Sequence, residues 1–394
     1  MAKKRFIISA FALSSSSTMG GNSKICLEIA RHLSKEFEVH LVTTSEKTLT
    51  VTNTLGTLEN LFIHTVDPYP KSEMGHPFQS SRHYTKSLNG VLEKLNACEN
   101  DIVYACSDFH IDTIPCLRLK KKYRYKWIGV QFLFIPFIFE NIFKGYKFPT
   151  FKYLLAWFYS TFLFRLAKSK ADAFVITNDS DRTHFSKKFQ NRIFAFYGGV
   201  NVDQIPVYDA LRTRDVVFCS RLHPQKGIDG FLDVWKIVHE KNPEAKLSVI
   251  GNGEKPYEEY LKNKAMRLGI DGSVEWLGYV NDAPKYEIYR SSRIMVHPTV
   301  YDNNGMVAAE ALCSGLPVVM YDLPSLKTLY TKGCIKIPFG NKEEFAKCIL
   351  NLLSDRQFYD ATIPHKETLE GLRHHWSWGN RVECFKKWME DCSL

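Results

Sequence analysis

The chain lacks any stretch of about 20 consecutive apolar residues, the length a helix needs to cross a bilayer, so nothing in it reads as an integral membrane span. It also lacks Cys-x-x-Cys and any Cys/His cluster with zinc spacing; its 10 cysteines are scattered over 394 residues. That excludes a disulfide miniprotein and a zinc module, and reads as reduced, mostly buried thiols of a cytoplasmic protein. Internal repeats and low-complexity linkers are missing, which excludes solenoids. Acidic residues are the scarcer sign, 42 against 52 Lys and Arg, for a net charge of +10. That balance favours an anionic partner, whether nucleic acid, a phosphorylated small molecule or an acidic lipid surface, without choosing among them. What is present is ordinary globular composition, 45% hydrophobic and 24% charged, in a chain long enough for two or three domains.

The start of the chain resembles a signal peptide, with Lys3, Lys4 and Arg5 ahead of apolar Phe6–Leu13. The apolar stretch is short and runs into a polar Ser/Gly loop with no clear cleavage site, so a first β-strand over Phe6–Phe11 fits better. From there strands alternate with amphipathic helices, the pattern of parallel sheets covered on both faces. A helix is expected over Asn22–Leu33, where Ile25, Ile29 and Leu33 recur at a spacing of four. Further strands are expected at Glu38–Thr43, Ile102–Cys106, Trp127–Val130 and Ala173–Thr177. A second series follows: strands at Val216–Ser220, Lys246–Ile250, Val274–Leu277, Ile294–His297 and Leu316–Met320, with helices at Ile228–Glu240, Tyr257–Leu268 and Met306–Cys313. The boundary falls near Val202–Asp215. The fold class is α/β: a first doubly wound domain over 1–205, joined by a helix at about 375–394, and a second over 206–374.

Ligands in such sheets bind at the carboxyl ends of the strands, so the loops there carry the chemistry. Gly20-Gly21 opens the first helix, and two glycines allow close approach of a ligand to free helix N–H groups; a tight strand-to-helix turn would need the same residues. Arg221-Leu-His-Pro-Gln-Lys226-Gly227 places two cations five residues apart before a helix, suited to gripping a diphosphate from two sides. Gly251-Asn-Gly253 is a second point of close approach. The longest such loop runs from Pro298 through Asp302, Asn303, Asn304, Gly305, Met306 and Val307 to Glu310 and Gly315-Leu-Pro317. It combines carboxylates that accept from hydroxyls with backbone donors at a helix start, and Glu310 sits among Ala, Val and Leu, where a carboxylate is costly to bury without a partner.

Taken together, these residues resemble the retaining nucleotide-sugar glycosyltransferases of family 4. The marks are Gly20-Gly21, Arg221-x4-Lys226-Gly227, Gly251-Asn-Gly253, and Asp302-x7-Glu310 followed by Gly315-Leu-Pro317-Val318, with Tyr197-Gly-Gly-Val-Asn-Val-Asp203 ahead of the linker and Trp376-Ser-Trp378 before a closing helix. The match is specific over about 196–380 and looser before it. The resemblance implies the GT-B fold: two Rossmann-like domains facing across a cleft, the C-terminal helix crossing back to the first. It implies that Arg221 and Lys226 hold the donor diphosphate, Glu310 the donor ribose, and the backbone from Asn304 to Val307 the sugar hydroxyls. Asp302 stands where the family usually has a Glu beside the donor sugar, one methylene shorter. Asp302, Glu310, Arg221 and Lys226 form the expected catalytic set; Gly20, Gly21, Gly251, Gly253 and residues Asn303 to Val307 complete the donor site. Gln131 takes the place of a His found in many relatives, and His110 is the other acceptor-side candidate. No metal and no further cofactor is expected, the cations and helix N-termini neutralising the diphosphate.

The implied function is retaining transfer of a sugar from a nucleoside-diphosphate sugar to a hydroxyl of a glycan or lipid-linked acceptor. The alternatives are another GT-B enzyme, such as a nucleotide-sugar epimerase or phosphorylase, and a non-catalytic basic protein docking on membrane or nucleic acid. Nucleic acid is disfavoured because no recognised motif for it is present. Between Arg118 and Lys126, 6 of 9 residues are basic, and 15 of the 38 from Trp127 to Phe164 are aromatic. Such a surface suits peripheral attachment to an anionic inner membrane face; the competing reading makes Tyr153–Phe164 a core helix, with Phe132–Phe148 as an exposed lip in a mixed case.

Overall fold

The computed structural model describes residues 4–14, 20–70, 77–134, 151–206 and 211–394, with backbone alone at 151–153. The chain divides into two compact units, 1–198 with 381–394, and 199–380. The division falls at Gly198 rather than near residue 205, and the returning segment begins at Arg381 rather than about 375.

The first unit runs β1 (Arg5–Ser9), α1 (Gly21–Leu33), β2 (Glu38–Thr44), α2 (Ser45–Leu55), β3 (Leu61–Val66), α3 (Pro77–Lys94), β4 (Ile102–Ala105), α4 (His110–Tyr123), β5 (Lys126–Gln131), α5 (Phe151–Lys168), β6 (Ala173–Ile176) and β7 (Ile193–Ala195). Its seven strands are ordered β3-β2-β1-β4-β5-β6-β7, every described pair parallel. Strands covered on both faces read as continuous apolar runs, and Phe6, Ile7 and Ile8 of β1 are fully buried. β1 stops at Ser9, two residues short of the expected Phe11. The edge strands β3 and β7 were not anticipated: no residue of β3 is fully buried, so it carries none of the buried-run signal, and β7 is only three residues long.

The second unit runs β8 (Arg214–Cys219), α6 (Ile228–Lys241), β9 (Leu247–Ile250), α7 (Lys255–Arg267), β10 (Val274–Gly278), α8 (Asp282–Ser291), β11 (Ser292–His297), α9 (Met306–Cys313), β12 (Val318–Tyr321), α10 (Pro324–Lys327), β13 (Cys334–Ile337), α11 (Lys342–Ser354), α12 (Arg356–Thr362) and α13 (Lys366–Trp376). Its parallel sheet is ordered β10-β9-β8-β11-β12-β13. In both units the order reverses beside the first strand, at β1/β4 and at β8/β11, so the loops leaving those strands part to opposite sides and open a crevice.

The last helix, α14 (Trp378–Asp391), supplies residues 381–391 to the first unit. Phe385 is fully buried, its ring 5.5 to 6.4 Å from those of Phe6, Tyr104, Phe194, Phe196 and Trp388. Trp378 and Trp376 stay with the second unit. A Cβ on Gly199 would stand 2.6 Å from the Trp378 ring, so a glycine lets the chain pass beneath it.

The expected basic and aromatic surface is partly corrected. Lys120 is half-buried against Asp172, and Lys122 pairs with Glu93 at 2.7 Å and reaches Asn89 at 2.9 Å, so these two lysines close the end of α4 instead of forming a free cationic run. The helix α5 buries Leu163, Phe164 and Ala167 among Phe174, Phe185 and Phe189, yet leaves Leu155, Phe158 and Phe162 more than half exposed. It is therefore neither wholly core nor wholly surface. Of the Phe132–Phe148 lip, residues 135–148 lie outside the described residues; Phe132 is buried and Leu133 exposed. No helix among the described residues is long and apolar enough to cross a membrane.

Removing a buried ring from a packed cluster loses its transfer free energy and leaves a cavity, about 3–5 kcal/mol for Phe→Ala. Phe385→Ala should destabilise the first unit by that amount. Urea unfolding followed by the fluorescence of a tryptophan in that unit, Trp127 or Trp388, measures it.

Candidate functional site

At the β8/β11 reversal the two departing loops are fastened to each other. The Val300 N–H donates to the Gln225 carbonyl at 3.0 Å, the Thr299 hydroxyl donates to the same oxygen at 3.1 Å, and the Gln225 amide donates to the Tyr301 carbonyl at 2.9 Å. Gly227 has φ +73°, and a Cβ there would stand 1.9 Å from the Pro298 carbonyl oxygen, so this crossing admits glycine alone. The glycines expected to admit a ligand face the same demand. Gly251 has φ +132° and its Cβ would meet the Ser220 carbonyl at 1.9 Å; that of Gly253 would meet the Leu222 carbonyl at 2.3 Å. Neighbouring backbone already explains both, and the Gly253 N–H is taken by Glu258 at 2.6 Å.

Lys226 and Asp302, 76 residues apart in sequence, meet across this seam: Nζ to Oδ2 is 2.6 Å. The other carboxylate oxygen of Asp302 accepts the N–H groups of Asn304 at 3.2 Å and Gly305 at 3.1 Å. Two of the backbone donors expected to be free at this turn are thus used internally. Tyr330 braces the same turn, its hydroxyl 2.8 and 2.7 Å from the Asn304 and Gly305 carbonyls, its ring stacked on Trp376. Gly305, in the left-handed region at φ +58°, turns the chain into α9 through Met306 and Val307. His297 is buried beneath, Nε2 3.7 Å from Asp302 Oδ2. Burial pushes its pKa down to about 4, with Lys226 adding to the effect against the opposing pull of Asp302. Burial would raise the Asp302 pKa, but Lys226, His297 and the Gly305 N–H outweigh it and hold it at about 2. At neutral pH the site therefore contains an ionised Asp302 against Lys226 and a neutral imidazole. Arg221, on the same loop as Lys226, is exposed to solvent.

Glu310, the fifth residue of α9, is 4% exposed. Its partner escaped the sequence reading: Lys285 on α8, with Nζ 2.8 Å from Glu310 Oε2 and 2.9 Å from Asp282 Oδ1. Lys285 is itself 8% exposed, and its ammonium stands 5.0 Å from the centre of the Tyr286 ring. Burial opposes its charge, but Glu310 and Asp282 more than compensate and raise its pKa above that of a free lysine. The available signal was a lysine flanked by aromatic residues, Lys285-Tyr286-x-x-Tyr289, just before a buried strand. His297 and Tyr330 carried no comparable sign.

The first unit holds its own group at the β4 and β5 carboxyl ends. The Gln131 amide donates to Asp108 at 3.1 Å and to the Leu133 carbonyl at 2.8 Å. Burial lifts the Asp108 pKa to about 6 although backbone N–H groups, among them those of Leu133 and Phe132, oppose it. His110, its pKa lowered by burial, lies 3.1 Å from the Ser80 hydroxyl and beside Tyr159. Asp108 was missed, although it lies three residues past the buried strand β4. Gly20 is extended at φ −66° and Gly21 begins α1, so no left-handed turn calls for either glycine. The preceding loop is held by buried Asp112, which accepts the Phe11 N–H at 2.7 Å and the Ser107 hydroxyl at 2.6 Å. In Asp179-Ser180-Asp181, an Asp-x-Asp missed in the sequence reading, Asp179 binds Arg182 at 2.7 Å and also Tyr197, whereas Asp181 buries an oxygen without a hydrogen-bond partner and burial pushes its pKa up to about 6.

Residues 213–355 match the family model of Glycosyl transferases group 1. The chain is 29% identical over 198 residues to an uncharacterized glycosyltransferase of Haemophilus influenzae, covering 49% of this chain and 55% of that one. It is 31% identical over 165 residues to a phosphatidyl-myo-inositol mannosyltransferase of Mycobacterium leprae, covering 39% and 42%. The chain thus spans about half the length of the curated relatives it matches. In structure it is similar to Anabaena HepE in complex with UDP and glucose, with a TM-score of 0.72 at 16% identity over 98% of this chain and 99% of that one. It is also similar to sucrose-phosphate synthase from Thermosynechococcus elongatus, with a TM-score of 0.76 at 12% identity over 99% of each chain. The fold is the GT-B fold that the resemblance implied, and the seam between the β8 and β11 loops lies inside the segment that matches the family.

A histidine held neutral by burial binds fewer protons when folded than when unfolded, so it costs stability as pH falls from about 6.5 toward 4. For His297 the loss between about pH 7.5 and pH 5 should be on the order of 1–2 kcal/mol. His297→Gln should show a smaller acid loss than the parent chain, read from urea midpoints at the two pH values.

Proposed function

We propose that this chain, a GT-B protein whose second unit carries a group 1 glycosyl transferase domain, transfers a sugar with retention from a nucleoside-diphosphate sugar to a hydroxyl of a glycan or lipid-linked acceptor. The observation that carries this reading is the charged seam at the β8/β11 reversal, where Lys226 meets Asp302 just ahead of the helix α9 that carries buried Glu310, within the family-matched segment. Exposed Arg221 and half-buried Lys226 supply cations to the donor diphosphate, and Glu310 offers a carboxylate oxygen to the ribose hydroxyls. Cations fixed beforehand stabilise the charge that builds on the diphosphate as its bond to the anomeric carbon breaks. They perform the neutralisation that a metal would otherwise supply. Asp302, with both oxygens committed, is assigned to holding the 302–305 turn and aiming Lys226 rather than to touching the sugar. Asp108, His110 and Gln131 of the first unit are the acceptor-side candidates. The similarity to a mannosyltransferase named for phosphatidyl-myo-inositol supports a lipid-linked acceptor, and that to a UDP-bound protein supports a nucleotide donor.

A peripheral contact with anionic membrane belongs to the same reading, carried by other residues than the Lys120–Lys126 run. Between α3 and α4 a groove of about 510 Å³ is lined by Gln79, Arg82, His83, Lys86, Asn89 and Arg118. Arg82 and Lys86 stand one helical turn apart, a repulsive spacing for like charges. Both side chains and that of Arg118 are exposed, while Arg118 lies over the exposed Phe78 ring. His110 connects α3 to Tyr159 on the exposed apolar side of α5. Cations beside exposed aromatic residues suit an anionic interface.

Arg221→Ala and Lys226→Ala should each weaken binding of a nucleoside diphosphate by about 1.5–3 kcal/mol, as expected for lost hydrogen bonds to a charged group. Calorimetric titration measures it, and unchanged affinity in both variants rules out the diphosphate assignment. Membrane contact predicts cosedimentation with anionic phospholipid vesicles that weakens as salt is raised and is lost in the triple variant Arg82→Glu, Lys86→Glu, Arg118→Glu, with nucleoside-diphosphate affinity unchanged.

A further inference from the structure

We infer that Lys285 is a positioning residue of the donor site: it keeps Glu310 ionised and reserves one of its oxygens, so that the other alone is presented to the donor ribose. The inference rests on the donor reading of Glu310 given above and extends it to a residue on a different helix.

The geometry excludes the simpler role, in which Lys285 itself grips phosphate. Its ammonium has three N–H donors. One is donated to Asp282 Oδ1, 2.9 Å away, and the ammonium is ion-paired with Glu310 Oε2, 2.8 Å away. The remaining direction is covered by the Tyr286 ring. A cation so engaged, and 8% exposed, is spent on its neighbours. Arg221 and Lys226 sit on the loop after β8 and are more exposed.

Among the described groups close to Glu310 or to its partner are Lys285, Asp282, Tyr286 and Tyr289 from α8, Cys219 at the end of β8 and Cys313 on its own helix. Of these, Lys285 alone is a cation. The hydroxyls of Tyr286 and Tyr289 are buried and find no hydrogen-bond partner, and the Cys219 thiol is pushed up to about 11 by burial, so it stays neutral. A carboxylate buried among these groups without a cation would take up a proton instead. A protonated acid would accept hydrogen bonds from ribose hydroxyls far less strongly than a carboxylate does. Because Oε2 faces the Lys285 ammonium as its ion-pair partner, Oε1 is the oxygen left for the ligand, and the Lys285–Asp282 hydrogen bond fixes where the ammonium stands.

The test is Lys285→Met, similar in length but uncharged, with Glu310→Gln and the double variant beside it. Each is assayed for binding of the nucleoside diphosphate that the parent chain binds, between about pH 6 and pH 9. The parent should show nearly constant affinity across this range. Lys285→Met should bind roughly tenfold or more weakly near pH 6, the scale expected when one partner of a buried pair is removed, and should recover as rising pH ionises Glu310. The double variant should bind as weakly as Glu310→Gln alone, with no recovery at high pH. A role confined to fastening α8 to α9 would lower the melting temperature of Lys285→Met and leave its affinity independent of pH; that result overturns the inference. Parent-like binding by Lys285→Met overturns it as well. If the parent chain binds no nucleoside diphosphate, the donor reading fails first and the inference fails with it. If Lys285→Met does not fold, Lys285→Gln and Lys285→Arg carry the same comparison: the glutamine variant should show the pH-dependent loss and the arginine variant should restore pH-independent binding.

Discussion

The second unit depends on one constraint: two loops leaving adjacent parallel strands must cross at backbone distance and still leave a charged crevice open. Gly227 makes the crossing possible, because the Pro298 carbonyl occupies the space of any side chain. Once the loops touch, Gln225 makes three hydrogen bonds to residues 299–301, and Lys226 is delivered to Asp302. The protonation states follow from the neighbours: against burial, Lys226, His297 and the Gly305 N–H draw the Asp302 carboxylate far below its usual range and Glu310 raises the Lys285 pKa above that of a free lysine, while burial itself holds the His297 imidazole neutral. Such an arrangement is preorganised, since its dipoles and charges need no rearrangement when an anion arrives.

Much of this was legible in the sequence. Apolar runs located most strands to within a residue or three, because parallel strands buried on both faces leave little ambiguity. Met306–Cys313 was read at the bounds observed, a buried eight-residue helix following a Gly and ending before Ser314-Gly315. The edge strands β3 and β13 were not read, since half-buried strands lose the continuous apolar signature. Loop chemistry was legible where residue types were unusual for their surroundings: Lys226 before a glycine, and Glu310 among small apolar residues. What sequence spacing could not supply was partnership. Nothing in the run Asp282-Ala-Pro-Lys285 indicates that its lysine meets a glutamate 25 positions later, because that contact is created by the packing of α8 and α9 around β8 and β11.

Folding rearranges the basic stretch after Arg118 only in part. Lys120 and Lys122 gain acidic neighbours, while Lys121, Arg124 and Lys126 stay exposed. The groove with exposed cations draws on two helices, with Arg82 and Lys86 from α3 and Arg118 from α4. Charge density along a chain and charge density on a surface are different quantities, and the second is fixed only when helices pair.

The first unit is closed by residues that arrive last. Phe6, Tyr104, Phe194 and Phe196 face a space filled by Phe385, and all 182 residues of the second unit lie between the first unit's two segments. During synthesis, the first sheet therefore emerges with an aromatic patch uncovered and must persist in that state while the whole second unit is made. Chain elongation at roughly 5–20 residues per second makes that interval on the order of tens of seconds, and throughout it the open patch is available to chaperones and to other nascent chains. The order in which the ribosome releases the two units, rather than their final stability, sets when this protein is most exposed to misassembly.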